Sequence, residues 1–251
     1  MEEILKIEHL SKKYDDFTVL EDINLTVKKG DVTVIVGPSG CGKSTLLRCI
    51  NGLEEINEGR VLLDGEVINP GDRNATKSRE KIGMVFQSYD LFPHLNVLEN
   101  AILAPMKVQK RDKAEASEEA LALLERVGLA ARRDNYPRQL SGGQKQRVAI
   151  VRALMMHPEV LLFDEVTAAL DPEMVREVLD VVLDLARQKR TMLIVTHEMS
   201  FARAIADRVL FLDGGNIIED CPPDEFFVSP RTDRARKFLR TFEYERLHLQ
   251  E

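Results

Sequence analysis

The chain has 251 residues, of which 44% are hydrophobic and 31% charged, proportions that suit one large α/β domain or a core plus a subdomain. Its formal net charge of −7 argues against a protein that coats nucleic acid, so we expect no nucleic-acid partner. No apolar run approaches the roughly 18 residues that span a bilayer and the N-terminus lacks a secretory signal, so a cytoplasmic location is expected.

Short apolar stretches separated by turns occupy residues 3–27, ahead of an apolar strand at 32–36. Their close spacing, with no helical segment between them, predicts an antiparallel β subdomain. The strand at 32–36 leads into a glycine-rich turn, residues 37–45, and the turn opens a segment with helical spacing. This strand, turn and helix are the context in which the pattern G-x-x-x-x-G-K-[ST] carries meaning.

The glycine-rich turn predicts a nucleoside triphosphate site. Its glycines allow successive backbone N–H groups to point at one anion, and the helix start adds a partial positive charge. Lys43 can bind the β- and γ-phosphates, and the Ser44 hydroxyl can ligate Mg²⁺. The alternative is a structural turn with an exposed lysine. The predicted nucleotide-binding residues are Ser39, Gly40, Cys41, Gly42, Lys43, Ser44 and Thr45.

Two side chains in this part of the chain have alternative interpretations. Tyr14 could stack on an adenine ring, or it could cover apolar surface at a turn. Cys41 lies inside the loop and could be modifiable, although a small filler residue is the simpler role. The three cysteines, Cys41, Cys49 and Cys221, are an odd number at unrelated spacings, which predicts free thiols in a reducing compartment.

A change of pattern marks the middle of the chain. Asp64-Gly65 between apolar runs predicts a β-hairpin, and the polar segment 70–80 predicts a surface connection. The strand-like run 82–86 ends on Gln87, after which no β-rich run occurs up to residue 137. Asn96 and Asp112 are candidate N-caps of two helices in this stretch, so we predict an inserted α-helical subdomain.

A second small-residue turn, Leu140-Ser141-Gly142-Gly143-Gln144, opens a helix that we expect to run to about Met156. Ser141 is a candidate N-cap, and the two glycines would let the backbone approach a ligand closely. The turn is therefore a second candidate anion-binding helix start. An ordinary N-cap before an amphipathic helix is the alternative.

Two neighbouring carboxylates, Asp164 and Glu165, end the apolar strand at 160–163 and point to opposite sides of it. A nucleotide site needs one carboxylate to anchor Mg²⁺ and another to polarise the attacking water, tasks that we assign to Asp164 and Glu165 respectively. The alternative is a solvated strand end. Farther along, Asp171 is the candidate N-cap of the next helix, and a buried strand at 191–195 leads to His197.

In this order the motifs resemble those of the ATP-binding cassette (ABC) ATPases, from about residue 4 to 239. The resemblance rests on the phosphate loop, Gln87, residues 140–144, Asp164-Glu165, residues 169–171 and His197. It implies an α/β fold, a P-loop NTPase core with an antiparallel β subdomain and an inserted α-helical subdomain. Residues 1–88 and 155–222 would form the core and β subdomain, 89–154 the helical subdomain, and 223–251 a short helical tail.

The family resemblance also implies roles for the remaining motifs. In that family two subunits meet head to tail and enclose ATP between one phosphate loop and the partner's signature motif, here Ser141, Gly142, Gly143 and Gln144. The chain would thus act as a homodimer that uses ATP and Mg²⁺, with Asp171 at the dimer seam. The catalytic residues would be Glu165, His197 and Gln87, and the metal ligands Ser44, Gln87 and Asp164.

One departure and one closer resemblance refine this prediction. The family usually has proline and serine where this chain has Val166 and Ala168, which leaves the turnover rate open. Residues 86–94, 97–100, 103–105 and 196–202 resemble ATPase subunits that power uptake of polar amino acids. That implies a subunit on the inner face of the cell membrane, bound to integral-membrane permease subunits and served indirectly by an extracytoplasmic substrate-binding protein.

Three other functions are compatible with the motifs. A soluble cassette ATPase acting on ribosomes or DNA would usually carry two cassettes or a long coiled coil, and this chain has one set of motifs and no heptad tract. An exporter or signalling subunit would keep the same cassette. A binding module without catalysis is suggested by Val166 and Ala168.

Overall fold

The computed structural model describes residues 2–68, 79–168 and 170–247. The predicted connection at 70–80 lies outside them except for its last two residues, and so does Ala169. In chain order the strands and helices are β1 (Glu3–Tyr14), β2 (Phe17–Lys28), β3 (Val32–Val36), α1 (Lys43–Ile50), β4 (Glu58–Leu63), β5 (Glu66–Val67), β6 (Ile82–Val85), α2 (Val97–Lys107), α3 (Lys113–Arg126), α4 (Gly142–Leu154), β7 (Val160–Asp164), α5 (Pro172–Arg187), β8 (Thr191–Val195), α6 (Met199–Ile205), β9 (Arg208–Asp213), β10 (Asn216–Cys221), α7 (Pro223–Val228) and α8 (Asp233–Leu247).

The chain folds as two compact units. The first contains Met1–Arg79 and Lys189–Glu251, and the second contains Glu80–Gln188. The helical subdomain that we predict at 89–154 falls wholly inside the second unit, and its boundaries stay a prediction. Among the described residues, no helix combines the length and the apolar character that a membrane crossing requires.

An antiparallel sheet with strand order β2-β1-β4-β5 forms part of the first unit and confirms the predicted β subdomain. The short apolar runs predicted at 3–27 are in fact two strands of twelve residues each. Register shifts explain the difference, because bulges near His9 and Asp22, both at positive φ, let pairing continue through polar positions. Asp64-Gly65 makes the predicted turn, with φ of 50° and 77°.

The rest of the first unit contains strands in the order β10-β9-β3-β8. β3 pairs in parallel with both β8 and β9, whereas β9 and β10 form the predicted antiparallel hairpin. All five residues of β3 and of β8 are buried, as expected for parallel strands covered on both faces. Their carboxyl ends therefore meet at one edge, where side chains that follow the strands come together.

A buried carboxylate fastens the C-terminal helix to this sheet. Glu219 on β10 is only 4% exposed, and it accepts hydrogen bonds from the backbone N–H and the hydroxyl of Thr232, both at 2.6 Å. The Thr232 hydroxyl oxygen in turn accepts a bond from the N–H of Ala235 at 3.1 Å, in the first turn of α8. The start of α8 is thus joined to β10 by side-chain hydrogen bonds.

The second unit packs helices around a parallel strand pair, β6 and β7. Asn96 and Asp112 cap α2 and α3 as predicted, since each side chain accepts a backbone N–H from the first turn. α4 begins two residues earlier than the predicted Gln144, at Gly142, and ends at Leu154. Asp171 holds the N-cap position of α5, although its side chain makes no capping bond. Buried residues of this unit form an apolar cluster, which includes Ala101, Ala120, Leu124, Leu140, Val148 and Met155.

Candidate nucleotide site

The phosphate loop connects the buried strand β3 to α1 through three glycines at positive φ. Gly37, Gly40 and Gly42 have φ of 153°, 79° and 103°, a region that side-chain-bearing residues rarely adopt. A Cβ on Gly37 would lie 2.0 Å from the carbonyl oxygen of Leu212, on the neighbouring strand β9. The loop therefore needs glycine at this position for close backbone contact as well as for its dihedral angle.

Lys43 is buried, with only 4% of its surface exposed. Its Nζ atom donates hydrogen bonds to the carbonyl oxygens of Gly37 and Pro38, at 3.0 and 2.8 Å. Lys43 is therefore not the exposed lysine that the alternative of a structural turn assumed. The Lys43 side chain is held inside the loop by backbone carbonyl groups, while Ser39 and Gly40 are exposed to solvent and Ser44 and Thr45 are half-buried. This arrangement suits an anion that enters from the exposed side of the loop.

Cys41 fills the inside of the loop. It is 8% exposed, and its Sγ atom lies 3.1 Å from the position that a Cβ of Gly37 would take. Burial raises the pKa of the Cys41 thiol, against the opposing effect of the nearby Lys43. Because a protonated, buried thiol reacts slowly, the filler role fits better than that of a modifiable group. All three cysteines are free, as predicted, and burial raises the pKa of Cys49 to about 12.

His197 lies at the same strand edge as the phosphate loop. Ile35 on β3 is paired with Val195 on β8, so Gly37 and His197 each stand two residues beyond paired positions. His197 is half-buried, and the N–H of Glu198 donates to the hydroxyl of Thr196 beside it at 3.0 Å. The first unit thus brings the phosphate loop and His197 to one edge.

Tyr14 is the last residue of β1 and not part of a turn, and 42% of its surface is exposed. The ammonium group of Lys12 lies 4.4 Å from the centre of its ring. Burial and a hydrogen bond with Glu54 raise the pKa of the Tyr14 phenol. The ring is therefore fixed on one side while part of it stays open to solvent.

The second unit brings Gln87, Asp164 and Glu165 to one edge. Val85 on β6 is paired in parallel with Phe163 on β7, so Gln87 and Glu165 stand at equivalent distances beyond the pair. Gln87 is exposed, Asp164 is 4% exposed, and Glu165 is half-buried. Glu165 has a φ of 47°, a left-handed conformation that is uncommon without glycine and that turns the chain sharply after the strand.

The residues that replace the family's proline and serine have different surroundings. Val166 is buried, at 5% exposed, whereas Ala168 is exposed. The backbone N–H of Ala168 donates to the carbonyl of Glu165 at 3.1 Å, which closes the turn after β7. Val166 thus adds a buried apolar side chain directly after the two carboxylates in the sequence.

The helix start at Ser141 has a complete capping box. The Ser141 hydroxyl accepts the N–H of Gln144 at 3.3 Å, and the Gln144 side chain accepts the N–H of Ser141 at 3.0 Å. Neither Gly142 nor Gly143 has a positive φ. A Cβ on Gly143 would lie 2.9 Å from that of Met174, and one on Gly142 would lie 2.8 Å from Leu170. Close packing against these side chains is therefore a structural reason for both glycines, beside the predicted approach to a ligand.

Sequence reasoning missed two residues that support this site. Gln146 is fully buried and donates to the carbonyl oxygen of Phe86 at 3.1 Å, so α4 holds the backbone next to Gln87. Lys12 is 8% exposed and contacts Tyr14. The alternation of β1 gave no signal for Lys12, because the pairing with β2 shifts register between Leu10 and Lys12, and Leu10, Ser11 and Lys12 are all buried.

The oxygen donors at these positions suit Mg²⁺. They are the hydroxyl of Ser44 in the first unit, and the carboxylate of Asp164 and the amide of Gln87 in the second. Mg²⁺ favours such hard oxygen ligands, and proteins usually hold it with one or two carboxylates together with substrate phosphates. The donor chemistry therefore fits the predicted ion.

Comparison with known proteins identifies the family. The family model described as "ABC transporter" matches residues 20–168. The glutamate/aspartate import ATP-binding protein GltL of Escherichia coli (strain K12) is 55% identical over 94% of this chain and 98% of its own length. The arginine transport ATP-binding protein ArtM of Bacillus subtilis (strain 168) is 53% identical over the same shares.

A solved structure supports the same assignment. The ATP-binding cassette MJ0796, in a dimeric post-hydrolysis state bound to ADP and Pi, is 34% identical. The alignment covers 88% of this chain and 99% of that one, with a TM-score of 0.77. Because the family match spans more than half of the sequence and includes the phosphate loop, the chain belongs to the ABC transporter family.

Proposed function

We propose that this chain is the ATP-hydrolysing subunit of an importer of polar amino acids. The observation that carries the nucleotide part is the buried Lys43, whose ammonium group is held inside a glycine-rich loop at the start of α1. The transport part is supported by relatives at 53–55% identity that are named for import of glutamate and aspartate or transport of arginine.

ATP would bind with its β- and γ-phosphates against Lys43 and the backbone N–H groups of residues 39–45. Ser44, Asp164 and Gln87 would hold Mg²⁺, which when bound supplies positive charge against the phosphate oxygens. Tyr14 would stack on the adenine ring. The residues assigned to the phosphates and to Mg²⁺ carry the corresponding family motifs, whereas the assignment of Tyr14 depends on its partly exposed ring.

Hydrolysis would then depend on the chain's own acid and base groups. The Glu165 carboxylate would accept a proton from water as the water oxygen attacks the γ-phosphorus, and the bond to the β–γ bridging oxygen would break to give ADP and phosphate. Gln87 would orient the water, and His197 would donate a hydrogen bond to a γ-phosphate oxygen. The turn at Glu165 supports this role, because its left-handed φ directs the residue away from the line of β7.

Two copies of the chain would share each nucleotide. The helix start at Ser141–Gln144 of one protomer would face the γ-phosphate held by its partner's loop, since a helix N-terminus favours an anion. The dimeric state of the related cassette MJ0796 supports this arrangement. Closing on ATP and reopening after hydrolysis would drive a membrane permease between two access states from its cytoplasmic side.

The experiment is reconstitution of the chain with its permease in lipid vesicles. The ATPase rate is measured with binding proteins loaded with acidic, basic or amide amino acids, and with sugar, metal and peptide binding proteins as comparison. We expect stimulation by an amino-acid-loaded protein and loss of hydrolysis in Glu165→Gln. Stimulation by a sugar, metal or peptide carrier, with none by any amino-acid carrier, would reject the transport assignment and leave the ATPase assignment standing.

A further inference from the structure

Lys12 is a buried lysine without a role in the proposed hydrolysis. It is 8% exposed, although lysine is seldom buried unless it is paired. Its Nζ atom donates to the carbonyl oxygen of Glu55 at 2.7 Å and lies 3.5 Å from a carboxylate oxygen of Glu54. The same ammonium group lies 4.4 Å from the centre of the Tyr14 ring, well inside the range of a cation–π contact.

Lys12 connects Glu54 to Tyr14. Its ammonium group pairs with the Glu54 carboxylate and also lies over the Tyr14 ring. The tyrosine ring is therefore contacted on one face, while 42% of its surface stays exposed. A ring fixed in this way loses little further conformational entropy when a planar partner stacks on it.

This set of contacts is attached to the helix that carries the phosphate loop. The backbone N–H of Glu54 donates to the carbonyl of Arg48 in α1 at 3.2 Å. The Asn57 side chain accepts the N–H of Lys13 at 2.7 Å, which ties β1 to the same segment. Eight residues of α1, about 12 Å of helix, thus separate the phosphate-binding end from the end that fixes Tyr14.

We propose that Lys12 is a positioning residue for base recognition, which holds the Tyr14 ring in the orientation that stacks on the nucleotide base. Lys12 does not itself contact the nucleotide; it acts through the ring and through its anchor on Glu54 and Glu55. This inference depends on the proposed stacking role of Tyr14. It predicts that loss of the Lys12 charge weakens binding of the base while phosphate binding is retained.

The experiment compares ATP with inorganic tripolyphosphate, which has the phosphates and no base. Both are titrated calorimetrically, without Mg²⁺ so that no hydrolysis occurs, into the full-length chain and its Lys12→Met and Lys12→Arg variants. Lys13→Met is the matched control, because it removes the same charge from the neighbouring exposed lysine. We expect Lys12→Met to weaken ATP binding about fivefold with tripolyphosphate affinity unchanged, Lys12→Arg to restore ATP affinity, and Lys13→Met to have no effect.

A fluorescence variant gives a second readout. The chain has no tryptophan, so Tyr14→Trp introduces a single reporter at the stacking position. Stacking of the base should quench this emission on addition of ATP and not of tripolyphosphate. In Tyr14→Trp combined with Lys12→Met, the quenching at saturating ATP should be smaller, because fewer molecules hold the ring in the stacked orientation.

The outcomes separate the inference from the function on which it rests. If Lys12→Met weakens the binding of ATP and of tripolyphosphate equally, Lys12 only supports the loop. If Lys12→Met leaves the ATP affinity unchanged, Lys12 has no positioning role. Either result overturns the inference. If Tyr14→Leu leaves ATP affinity unchanged, the stacking assignment itself fails. If Lys12→Met does not fold, Lys12→Arg still tests the inference. Loss of normal ATP affinity in Lys12→Arg, or loss of normal quenching when it is combined with Tyr14→Trp, would reject the inference.

Discussion

Replacing Gly37 with alanine tests the geometry of the phosphate loop. The added Cβ would lie 2.0 Å from the carbonyl oxygen of Leu212 and 3.1 Å from the Sγ atom of Cys41. A carbon and a carbonyl oxygen normally approach no closer than about 3.3 Å, so the backbones would have to separate by roughly 1.3 Å. Pairing of Val36 with Phe211 in the sheet opposes this separation.

Gly40→Ala is the matched control. Gly40 also has a positive φ, but a Cβ there would meet nothing within 4 Å. Alanine at such positive φ values costs roughly 1–3 kcal/mol, and a cost of this kind arises in both variants. Overpacking against rigid backbone adds about 1–3 kcal/mol in Gly37→Ala alone. We therefore expect Gly37→Ala to lower the free energy of unfolding by about 1–3 kcal/mol more than Gly40→Ala does.

The assay is urea unfolding followed by circular dichroism, with ATP affinity measured on the folded variants. Gly37→Ala should unfold at a clearly lower urea midpoint than Gly40→Ala, and it should also bind ATP less tightly, because Lys43 bonds to the Gly37 carbonyl. Equal midpoints for the two variants would refute the reasoning, since the contact with Leu212 would then cost nothing.

Three further predictions concern the acid residue, the helix start and pH. Glu165→Gln should keep ATP affinity and slow hydrolysis at least about a hundredfold; equal rates in both proteins would favour the idle binding module. Ser141→Ala should cost about 1 kcal/mol in urea unfolding, and Ser141→Asp should restore the cap while weakening ATP-dependent dimerisation, because a carboxylate repels phosphate. Normal dimerisation of Ser141→Asp would leave Ser141 as a cap alone. Hydrogen bonds from Lys6 and Arg60 lower the pKa of Glu8 below its ordinary 4.5. The ionised Glu8 carboxylate therefore stabilises the fold above pH 4.5, and this stabilisation is lost as the pH falls through the lowered pKa. Wild type should therefore lose more stability than Glu8→Gln between about pH 5 and pH 3 in urea unfolding, and identical losses would contradict this.

The sequence predicted the elements that carry their own local signals. The strand and helix that flank the phosphate loop, the hairpin at Asp64-Gly65 and the caps at Asn96 and Asp112 each depend on neighbouring residues, and the structure contains all of them. The parallel strand pairs place Gln87 near the residues that follow β7, which the order of motifs along the chain had only implied.

Features that depend on distant contacts were not predictable in this way. The length of β1 follows from bulges that depend on its partner strands, and the burial of Lys12 follows from Glu54 and Glu55, more than forty residues away. The glycines at 142 and 143 pack against Leu170 and Met174 on another segment. Local sequence gives no signal for such contacts, because they arise only when the chain has folded.

The buried carboxylate of Glu219 determines how the C-terminal tail comes apart. Detaching α8 would remove both donors that Thr232 supplies, and a buried acceptor that loses its hydrogen-bond partners is costly. The start of α8 should therefore open together with the sheet instead of fraying independently. Cleavage by a protease near residue 232 would then report the global unfolding equilibrium of this unit, and nucleotide bound at the loop would protect a peptide bond far away in sequence.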